Sequence, residues 1–344
     1  MATLAELKLA MGTSIFLAAF IFAIFLSAIM LILQFPLIYA VIGTILFILF
    51  EYLVGPAIVS ASTRLRYLKQ GENPWLESTV KELAEKSGTP MPKLAIVPDK
   101  TPNAFVFGRT ASGATLALHE GLLTNLKEGE VRGVIAHELG HIKHKDYIVM
   151  TVLSALPLLA YIVARVTWQT AAWGSSSRRK KEGGLGAAFL AIGIISYIVY
   201  IVSFLSVMRL SRLREHYADA FSAYVTGSPR NLESALAKIT YGLSLSPKPP
   251  SGARAFYIED PAMAKQEIQQ IMQKKQEYDL DKDGVLDERE LELAMEKEAK
   301  STWAKMNTWF ATHPPTFRRI LLLREIENEM GSGRYTSDRV YTHV

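Results

Sequence analysis

Residues 136–141 read Ala136-His137-Glu138-Leu139-Gly140-His141, and this stretch organises the rest of the 344-residue chain. Histidines four apart lie on one face of a helix, so the imidazoles of His137 and His141 can reach a single metal ion. Glu138 lies beside them, where its carboxylate can accept a proton from an attacking water. The apolar neighbours of the pair favour a buried site over an amphipathic helix with surface histidines. The stretch therefore predicts a zinc-dependent hydrolytic site.

The composition indicates a membrane protein. Hydrophobic residues make up 49% of the chain, and its mean hydropathy is positive, which is high for a soluble protein. The 38 Lys and Arg only slightly exceed the 33 Asp and Glu, and no basic stripe interleaved with aromatic residues occurs, so no nucleic-acid partner is expected. Because the chain has no cysteine, zinc must be held by histidine and carboxylate.

Four apolar stretches predict membrane-spanning helices in a lipid bilayer. Residues 1–58 contain a helical hairpin that turns at residues 34–36, and residues 148–208 contain the third and fourth spans. Each stretch approaches the roughly 20 residues that a helix needs to cross a bilayer. Shallow insertion of the second pair is the alternative.

The basic residues around these stretches predict the topology. Arg64, Arg66 and Lys69 follow the second span, which places that side of the membrane in the cytoplasm by the positive-inside rule. The four cations of residues 178–181 oppose this assignment, but the nine cations on the other side outnumber them. We therefore expect a multi-pass protein of the cell membrane with its active site facing the cytoplasm.

The segment between the second span and the metal motif predicts a small α+β region. Helical spacing covers residues 75–87, and short strands are expected at 93–98, 103–108 and 114–119, separated by Pro, Asn and Gly. The helix that carries the motif is predicted to span residues 126–147 and to continue directly into the third apolar stretch.

A catalytic zinc site takes three protein ligands and leaves one position for water, so His137 and His141 need a third partner. Glu215 is the candidate, on the helix that leaves the fourth span, and Asp219 one turn later can accept a hydrogen bond from a ligand histidine. His216 is the rival ligand, but it points about 100° away from Glu215 on a helix, so only one of the two can face the metal. A solvated charged helix face is the alternative for this stretch.

Two other histidines lie near the motif. His119 opens a similar pattern, but Leu123 stands where the second histidine would be, so we expect no metal role for it. His144 is predicted to be an interfacial cation beside Lys143 and Lys145 rather than a fourth ligand.

Residues 279–290 hold a second motif, the EF-hand calcium loop, with flanking helices expected at 262–278 and 288–300. A solvated acidic connector is the alternative, but the match extends to every ligand position. EF-hands usually occur in pairs and the chain contains one, so the loop either pairs with that of a second copy or binds weakly alone. Calcium is expected to stiffen this insert and adjust substrate access. The predicted calcium ligands are Asp279, Asp281, Asp283, Val285, Asp287 and Glu290.

Several motifs, in matching order, resemble the HtpX-type membrane zinc metalloproteases, which are related to the CAAX prenyl proteases. The resemblance covers nearly the whole chain, and the EF-hand-like insert departs from it. The motifs are the apolar hairpin, Asn103-Ala104-Phe105 with Gly108, His137-Glu138-x-x-His141, Glu215-x-x-Ala218-Asp219, and His313-Pro314-Pro315 followed by Arg319-Ile320.

This resemblance implies zinc bound by His137, His141 and Glu215, with Glu138 as the general base. It also implies that His313 and Arg319 bind substrate or stabilise the oxyanion. An edge strand would bind extended protein or peptide substrates through backbone hydrogen bonds. That strand comprises Asn103, Ala104, Phe105, Val106 and Phe107.

The predicted fold class is mainly α: a polytopic membrane protein with about four transmembrane helices and a zincin-like α+β peptidase domain in the cytoplasm. The predicted function is zinc-dependent endopeptidase cleavage of misfolded or damaged membrane proteins, with CAAX prenyl-protein processing as the nearest alternative. A calcium-responsive membrane scaffold with a structural zinc site is the alternative of another class. A general base at Glu138 argues against the scaffold, because a structural site needs none.

Six segments make up the predicted domain organisation. They are the hairpin at 1–58, the first part of the peptidase domain at 59–147, the third and fourth spans at 148–208, the second part of the peptidase domain at 209–250, the EF-hand-like insert at 251–302, and a C-terminal peptidase segment with the His-Pro-Pro motif and a loose tail at 303–344.

Overall fold

The computed structural model describes residues 4–33, 36, 38–176, 183–245, 258, 261–283, 286–299, 313–333, 335 and 339–344. Most of these residues are helical, as predicted. The helices are α1 (Leu4–Leu33), α2 (Ile38–Thr63), α3 (Pro74–Ser87), α4 (Glu120–Asn125), α5 (Glu128–His144), α6 (Asp146–Ser176), α7 (Gly183–Thr226), α8 (Pro229–Ser244), α9 (Pro261–Gln273), α10 (Lys275–Tyr278), α11 (Glu288–Ala299) and α12 (Thr316–Gly331). The strands are β1 (Arg66–Tyr67), β2 (Lys93–Val97), β3 (Ala104–Phe107) and β4 (Thr115–His119).

The chain divides into two compact units. The helical unit comprises Lys8–Gly55 and Ile148–Leu210, and the sheet unit comprises Met1–Leu7, Pro56–Tyr147 and Ser211–Val344.

In the helical unit, α1, α6 and α7 share an apolar cluster that includes Phe22, Phe25, Ala160 and Ile192. Among the described residues, three helical segments are long and apolar enough to cross a bilayer. The predicted span at 148–168 lies in α6 and is not one of the three, so the number of four spans stays a prediction. The three segments are Ala5–Ile32, Val41–Thr63 and Phe189–Thr226.

The sheet unit contains a mixed four-stranded sheet in the order β1-β2-β4-β3. β2 and β4 are parallel, whereas β3 runs antiparallel to β4, with Phe105 opposite Ala117. The three longer strands lie where the sequence predicts them. β3 therefore forms one edge of the sheet, and it packs against α5.

α5 ends earlier than the sequence analysis expects. The helix stops at His144, because Lys145 adopts a left-handed conformation (φ 61°) and donates its backbone N–H to the carbonyls of His141 and Ile142. A new helix, α6, starts at Asp146. The metal helix therefore does not continue directly into the next apolar stretch, and Asp146 begins a separate helix beside the motif.

The helices of the EF-hand-like insert pack in the sheet unit against α8 and α12. One apolar cluster joins them, with Ile268 from α9, Leu291 and Met295 from α11, and Phe317 and Ile320 from α12. The amphipathic spacing of these residues explains why α9 and α11 keep one apolar face despite their charged sequence.

Gly121 offers a test of the packing around the sheet. A Cβ on this residue would lie 1.9 Å from the carbonyl oxygen of Lys100, so Gly121→Ala forces the backbone apart. We expect a loss of about 1–3 kcal/mol of stability, measured as a lower thermal midpoint in detergent. Gly331→Ala is the matched control, since nothing lies within 4 Å of its Cβ position. Equal midpoints for the two variants would contradict the close approach of α4 to Lys100.

Candidate metal centre

Three predicted zinc ligands converge in the sheet unit. His137 and His141 lie one turn apart on α5, and their Nε2 atoms are 3.2 Å apart. Oε2 of Glu215, from α7, lies 3.3 Å from Nε2 of His137, and its Oε1 lies 3.5 Å from Nε2 of His141. Gly140 permits this approach of α5 to α7, because a Cβ there would already lie 3.2 Å from Cα of Ala218. The rival ligand His216 is not in this group.

The ligand set fits a zinc ion. Two imidazole nitrogens and one carboxylate are a common catalytic donor set for zinc. His137 and Glu215 are buried, and the side chain of His141 is 12% exposed. Oε2 of Glu215 is also buried without a hydrogen-bond partner among the described residues. A buried carboxylate oxygen without a hydrogen bond is costly, so its position facing two imidazoles is accounted for by a cation between them.

A buried carboxylate lies behind each histidine. Oδ1 of Asp219 is 2.9 Å from Nδ1 of His137, the contact that the sequence analysis expects. Oδ2 of Asp146 is 2.7 Å from Nδ1 of His141, a contact that it does not identify. Asp146 follows His141 by five residues in the sequence, which does not by itself predict the contact. The helix break at Lys145 places the Asp146 carboxylate beside the imidazole.

Arg319 is fully buried and holds Asp219 through two hydrogen bonds. Its Nε donates to Oδ2 at 2.8 Å and its Nη2 to Oδ1 at 2.6 Å, the paired geometry that an arginine makes best. Its Nη1 donates to the carbonyl of Ile258 at 2.6 Å, and the N–H of Ile258 donates to Oδ1 of Asn103 at 2.9 Å. Arg319 thus belongs to the support of His137.

Comparisons with known proteins agree with this geometry. A family model described as peptidase family M48 matches residues 70–327, three quarters of the chain. The chain belongs to peptidase family M48. The match confirms that it is a metalloprotease with the His-Glu-x-x-His plus Glu ligand type, and the family implies zinc.

Curated M48 relatives named "Protease HtpX homolog" confirm the predicted resemblance. The relative from Methanothermobacter thermautotrophicus is 39% identical over 61% of this chain and 75% of its own length. That from Aeropyrum pernix is 31% identical over 83% and 84%, and that from Thermococcus sibiricus is 34% identical over 82% and 84%. With three apolar helices in addition, the chain is a multi-pass membrane metalloprotease.

A solved structure is also similar, but weakly. The crystal structure of S. mikatae Ste24p overlaps with 88% of this chain and 62% of its own, at 17% sequence identity and a TM-score of 0.48. This likeness is too weak to establish a shared fold.

Glu138 is buried beside the ligands of this M48 site. Burial raises the pKa of its carboxyl, while His141 and His137 lower it. For His137, burial lowers the pKa, but the carboxylates of Asp219 and Glu215 outweigh burial and raise the pKa to about 9. Zinc binds only the neutral form of an imidazole. Metal binding must therefore displace the extra proton that these carboxylates favour on His137.

The remaining predicted site residues lie either at the metal centre or in and next to β3. His313 is buried, and its Nε2 lies 3.8 Å from Oε1 of Glu215, so it belongs to the metal centre. Asn103 precedes β3, and its Nδ2 lies 3.5 Å from Nε2 of His119. The side chains of Phe105 and Phe107 pack in a core cluster, so β3 can offer substrate only its backbone edge there.

The EF-hand-like loop is described in part. Asp279, Asp281 and Asp283 bring one oxygen each within 4.8 Å of one another. Glu290 is buried and accepts the backbone N–H of Leu280 at 2.6 Å. Oδ1 of Asp287 accepts the N–H of Glu290 at 2.8 Å and so begins α11. The predicted ligand Val285 lies outside the described residues.

His144 is not the interfacial cation that the sequence analysis expects. Burial lowers its pKa to about 4, and nearby Asp146 offsets this only in part. Its Nε2 lies 2.9 Å from the hydroxyl of Tyr341, whose ring packs 4.9 Å from that of Tyr217. Tyr341 therefore packs against α5 and α7, at a position where the sequence analysis expects a loose tail.

The low pKa of His144 predicts an acid-dependent loss of stability. Its folded pKa lies below the roughly 6.5 of an exposed histidine, so the unfolded state binds this proton more readily. The stabilisation is complete above about pH 7 and is lost as the pH falls towards 4, by on the order of 3 kcal/mol. We expect thermal midpoints of His144→Gln to fall less steeply over this range. Equal slopes for the wild type and His144→Gln would contradict this assignment.

Proposed function

We propose that this chain is a zinc-dependent endopeptidase that cleaves misfolded or damaged membrane proteins, with its active site on the cytoplasmic side. The observation that carries the proposal is the cluster of His137, His141 and Glu215, with buried Glu138 beside it. Family membership supports peptide-bond hydrolysis, and the apolar helices support activity at a membrane.

The side chains of the site have separate tasks in this proposal. When bound by His137, His141 and Glu215, zinc would polarise the scissile carbonyl and lower the pKa of water towards about 7. Glu138 accepts a proton from the attacking water and delivers it to the leaving amine. A raised pKa suits this task, because a base with a pKa closer to the working pH both accepts and releases a proton readily.

His313 is the better candidate for stabilising negative charge on the substrate oxygen. Its ring nitrogen lies on the Glu215 side of the centre, within 3.8 Å of a zinc-ligand oxygen. Arg319 lies as close, with its Nη2 3.7 Å from Oε2 of Glu215, but its guanidinium already donates two hydrogen bonds to Asp219 and a third to the Ile258 carbonyl. We therefore assign Arg319 to orienting His137 through Asp219.

β3 is proposed to bind the substrate backbone. It is an edge strand that packs against the metal helix, which supports the sequence-based assignment of residues 103–107. Recognition through backbone N–H and C=O groups depends little on side chains. Such binding suits unfolded substrates of varied sequence, which favours degradation of damaged proteins over processing of prenylated ones.

The finer organisation belongs to the same proposal. The apolar stretches and motifs support three further parts of this proposal. They are the four spans, the zincin-like peptidase domain and the six segment boundaries named above. The cytoplasmic placement rests on Arg64, Arg66 and Lys69 after the second span.

The proposed base is tested by Glu138→Gln in detergent-purified protein with casein as substrate. Removing the base should lower the cleavage rate at least about a hundredfold, the usual contribution of a general base, while bound zinc stays at the wild-type level. Zinc is quantified in the same samples. Glu120→Gln, an exposed acid in α4, should retain full activity. Undiminished cleavage by Glu138→Gln would remove the assigned role of this residue.

We further propose that the EF-hand-like loop binds calcium and modulates proteolysis. The clustered oxygens of Asp279, Asp281 and Asp283 and the buried closing Glu290 support binding. A route to the site runs through α12, which carries Arg319. α9 and α11 pack on α12, and Oε1 of Glu267 accepts the N–H of Thr316 at 3.1 Å. Stiffening of α9 and α11 would therefore affect the support of Asp219. Pairing of two loops across a second copy is the accompanying hypothesis.

Calorimetric titration of the zinc-loaded protein with calcium tests the loop. We expect one ion per chain with a dissociation constant on the order of 10⁻⁴ M, as for a weak single site. Glu290→Gln should weaken binding at least about tenfold, since the closing bidentate ligand is lost. Glu277→Gln, an exposed acid before the loop, is the control of equal charge change. If calcium binds but the rate of casein cleavage stays constant, the calcium site is confirmed and its modulating role is refuted.

A further inference from the structure

The imidazole of His141 contacts a buried acid outside the motifs. Oδ2 of Asp146 lies 2.7 Å from Nδ1 of His141, while Nε2 of the same ring points to Glu215 and His137. Asp146 is fully buried. An ionised carboxylate can only accept hydrogen bonds, so this contact requires the proton of His141 on Nδ1. Nε2 then has its lone pair directed at the metal centre.

Arg214 holds Asp146 in this position. Its Nε lies 3.2 Å from Oδ1 of Asp146, the oxygen that does not face His141, and its side chain is buried; the two atoms form an ion pair without hydrogen-bond geometry. Arg214 directly precedes Glu215 on α7. One ion pair therefore joins the first residue of α6, behind one zinc ligand, to the residue next to another zinc ligand.

A more tightly bonded version of this arrangement occurs behind His137. There Asp219 contacts Nδ1 of the histidine and Arg319 holds Asp219. A buried carboxylate is costly to desolvate unless a cation and hydrogen bonds compensate it. Both acids face an arginine and a histidine, but only Asp219 accepts hydrogen bonds from its arginine. Asp146 therefore depends on His141 for its hydrogen bond, which indicates that the contact with this ring is the reason for its burial.

We propose that Asp146, held by Arg214, is a positioning residue of the metal centre that fixes the tautomer and ring orientation of His141. The inference rests on the proposed zinc peptidase function and adds a second acid to the one that the sequence motif supplies. Such outer partners typically change metal affinity by about 10–100-fold when they are removed.

Zinc affinity of Asp146→Asn tests the inference by competition with a chromophoric chelator. The amide keeps the shape of the side chain but loses the charge, so zinc affinity should fall about 10–100-fold. Absorption bands of the Co²⁺-substituted protein should shift, because the His141 ligand is less well oriented. The matched control is Glu233→Gln, which breaks a comparably buried carboxylate–arginine pair with Arg324, whose Nε lies 2.7 Å from Glu233. The control should keep the wild-type zinc affinity and Co²⁺ spectrum.

The outcomes separate this inference from the function on which it rests. If the wild type binds zinc and Asp146→Asn keeps its affinity and spectrum, Asp146 only joins α6 to α7 and the inference is overturned. If the wild type does not bind zinc through His137, His141 and Glu215, the proposed function fails first. Asp146→Asn and Glu233→Gln should lower the thermal midpoint to a similar extent, but only Asp146→Asn should lower zinc affinity.

The wild type provides a measurement that does not depend on the folding of a variant. The ¹⁵N shifts of the His141 ring in the zinc-loaded protein report which nitrogen carries hydrogen. We expect a protonated Nδ1 and a metal-bound Nε2. The reverse assignment would overturn the role of Asp146, whatever the behaviour of its variants.

Discussion

The cost of burying charge constrains the whole sheet unit. Five ionisable groups, His137, Glu138, Glu215, Asp219 and Arg319, lie within one small volume and are almost entirely removed from water. Each would be costly alone in this environment, so each must face a compensating partner. These residues come from α5, α7 and α12, and the three helices must therefore meet at one point. The sheet and α8 supply the apolar packing that holds them there.

Local spacing makes the centre of the site predictable from sequence. Helical periodicity brings His137 to His141 and Glu215 to Asp219 within single turns, and the strands at 93–97, 104–107 and 115–119 follow from alternation and breakers. The edge position of β3 could not be derived in this way, since it depends on the strand order. Strand order is decided by contacts between segments, which a local pattern does not contain.

The contacts that the sequence analysis misses are non-local or rest on an unusual backbone conformation. Lys145 is a non-glycine residue with positive φ, so nothing in its identity predicts the helix break that places Asp146 beside His141. His144 and Tyr341 are 197 positions apart, and the charged residues around His144 suggest exposure that the fold does not give it. The packing of α9 and α11 on α12 is similarly hard to predict from the sequence, because these two helices have few apolar positions.

The two carboxylate–arginine pairs show how a site assembled from distant segments can keep a fixed geometry. Asp219 lies on the same helix as Glu215, but its arginine comes from α12; Asp146 begins α6, but its arginine comes from α7. Each pair thus joins two elements as well as orienting one histidine. A shift of α12 would move Arg319 away from Asp219 and from Oε2 of Glu215, which lies 3.7 Å from its Nη2, and so would disturb His137 and Glu215. A shift of α6 relative to α7 would instead disturb His141 through Asp146. The EF-hand-like insert packs on both α12 and α8, and α8 packs on α5, so a signal from the insert would have two routes to the site: through Arg319 and through the helix that carries both histidines.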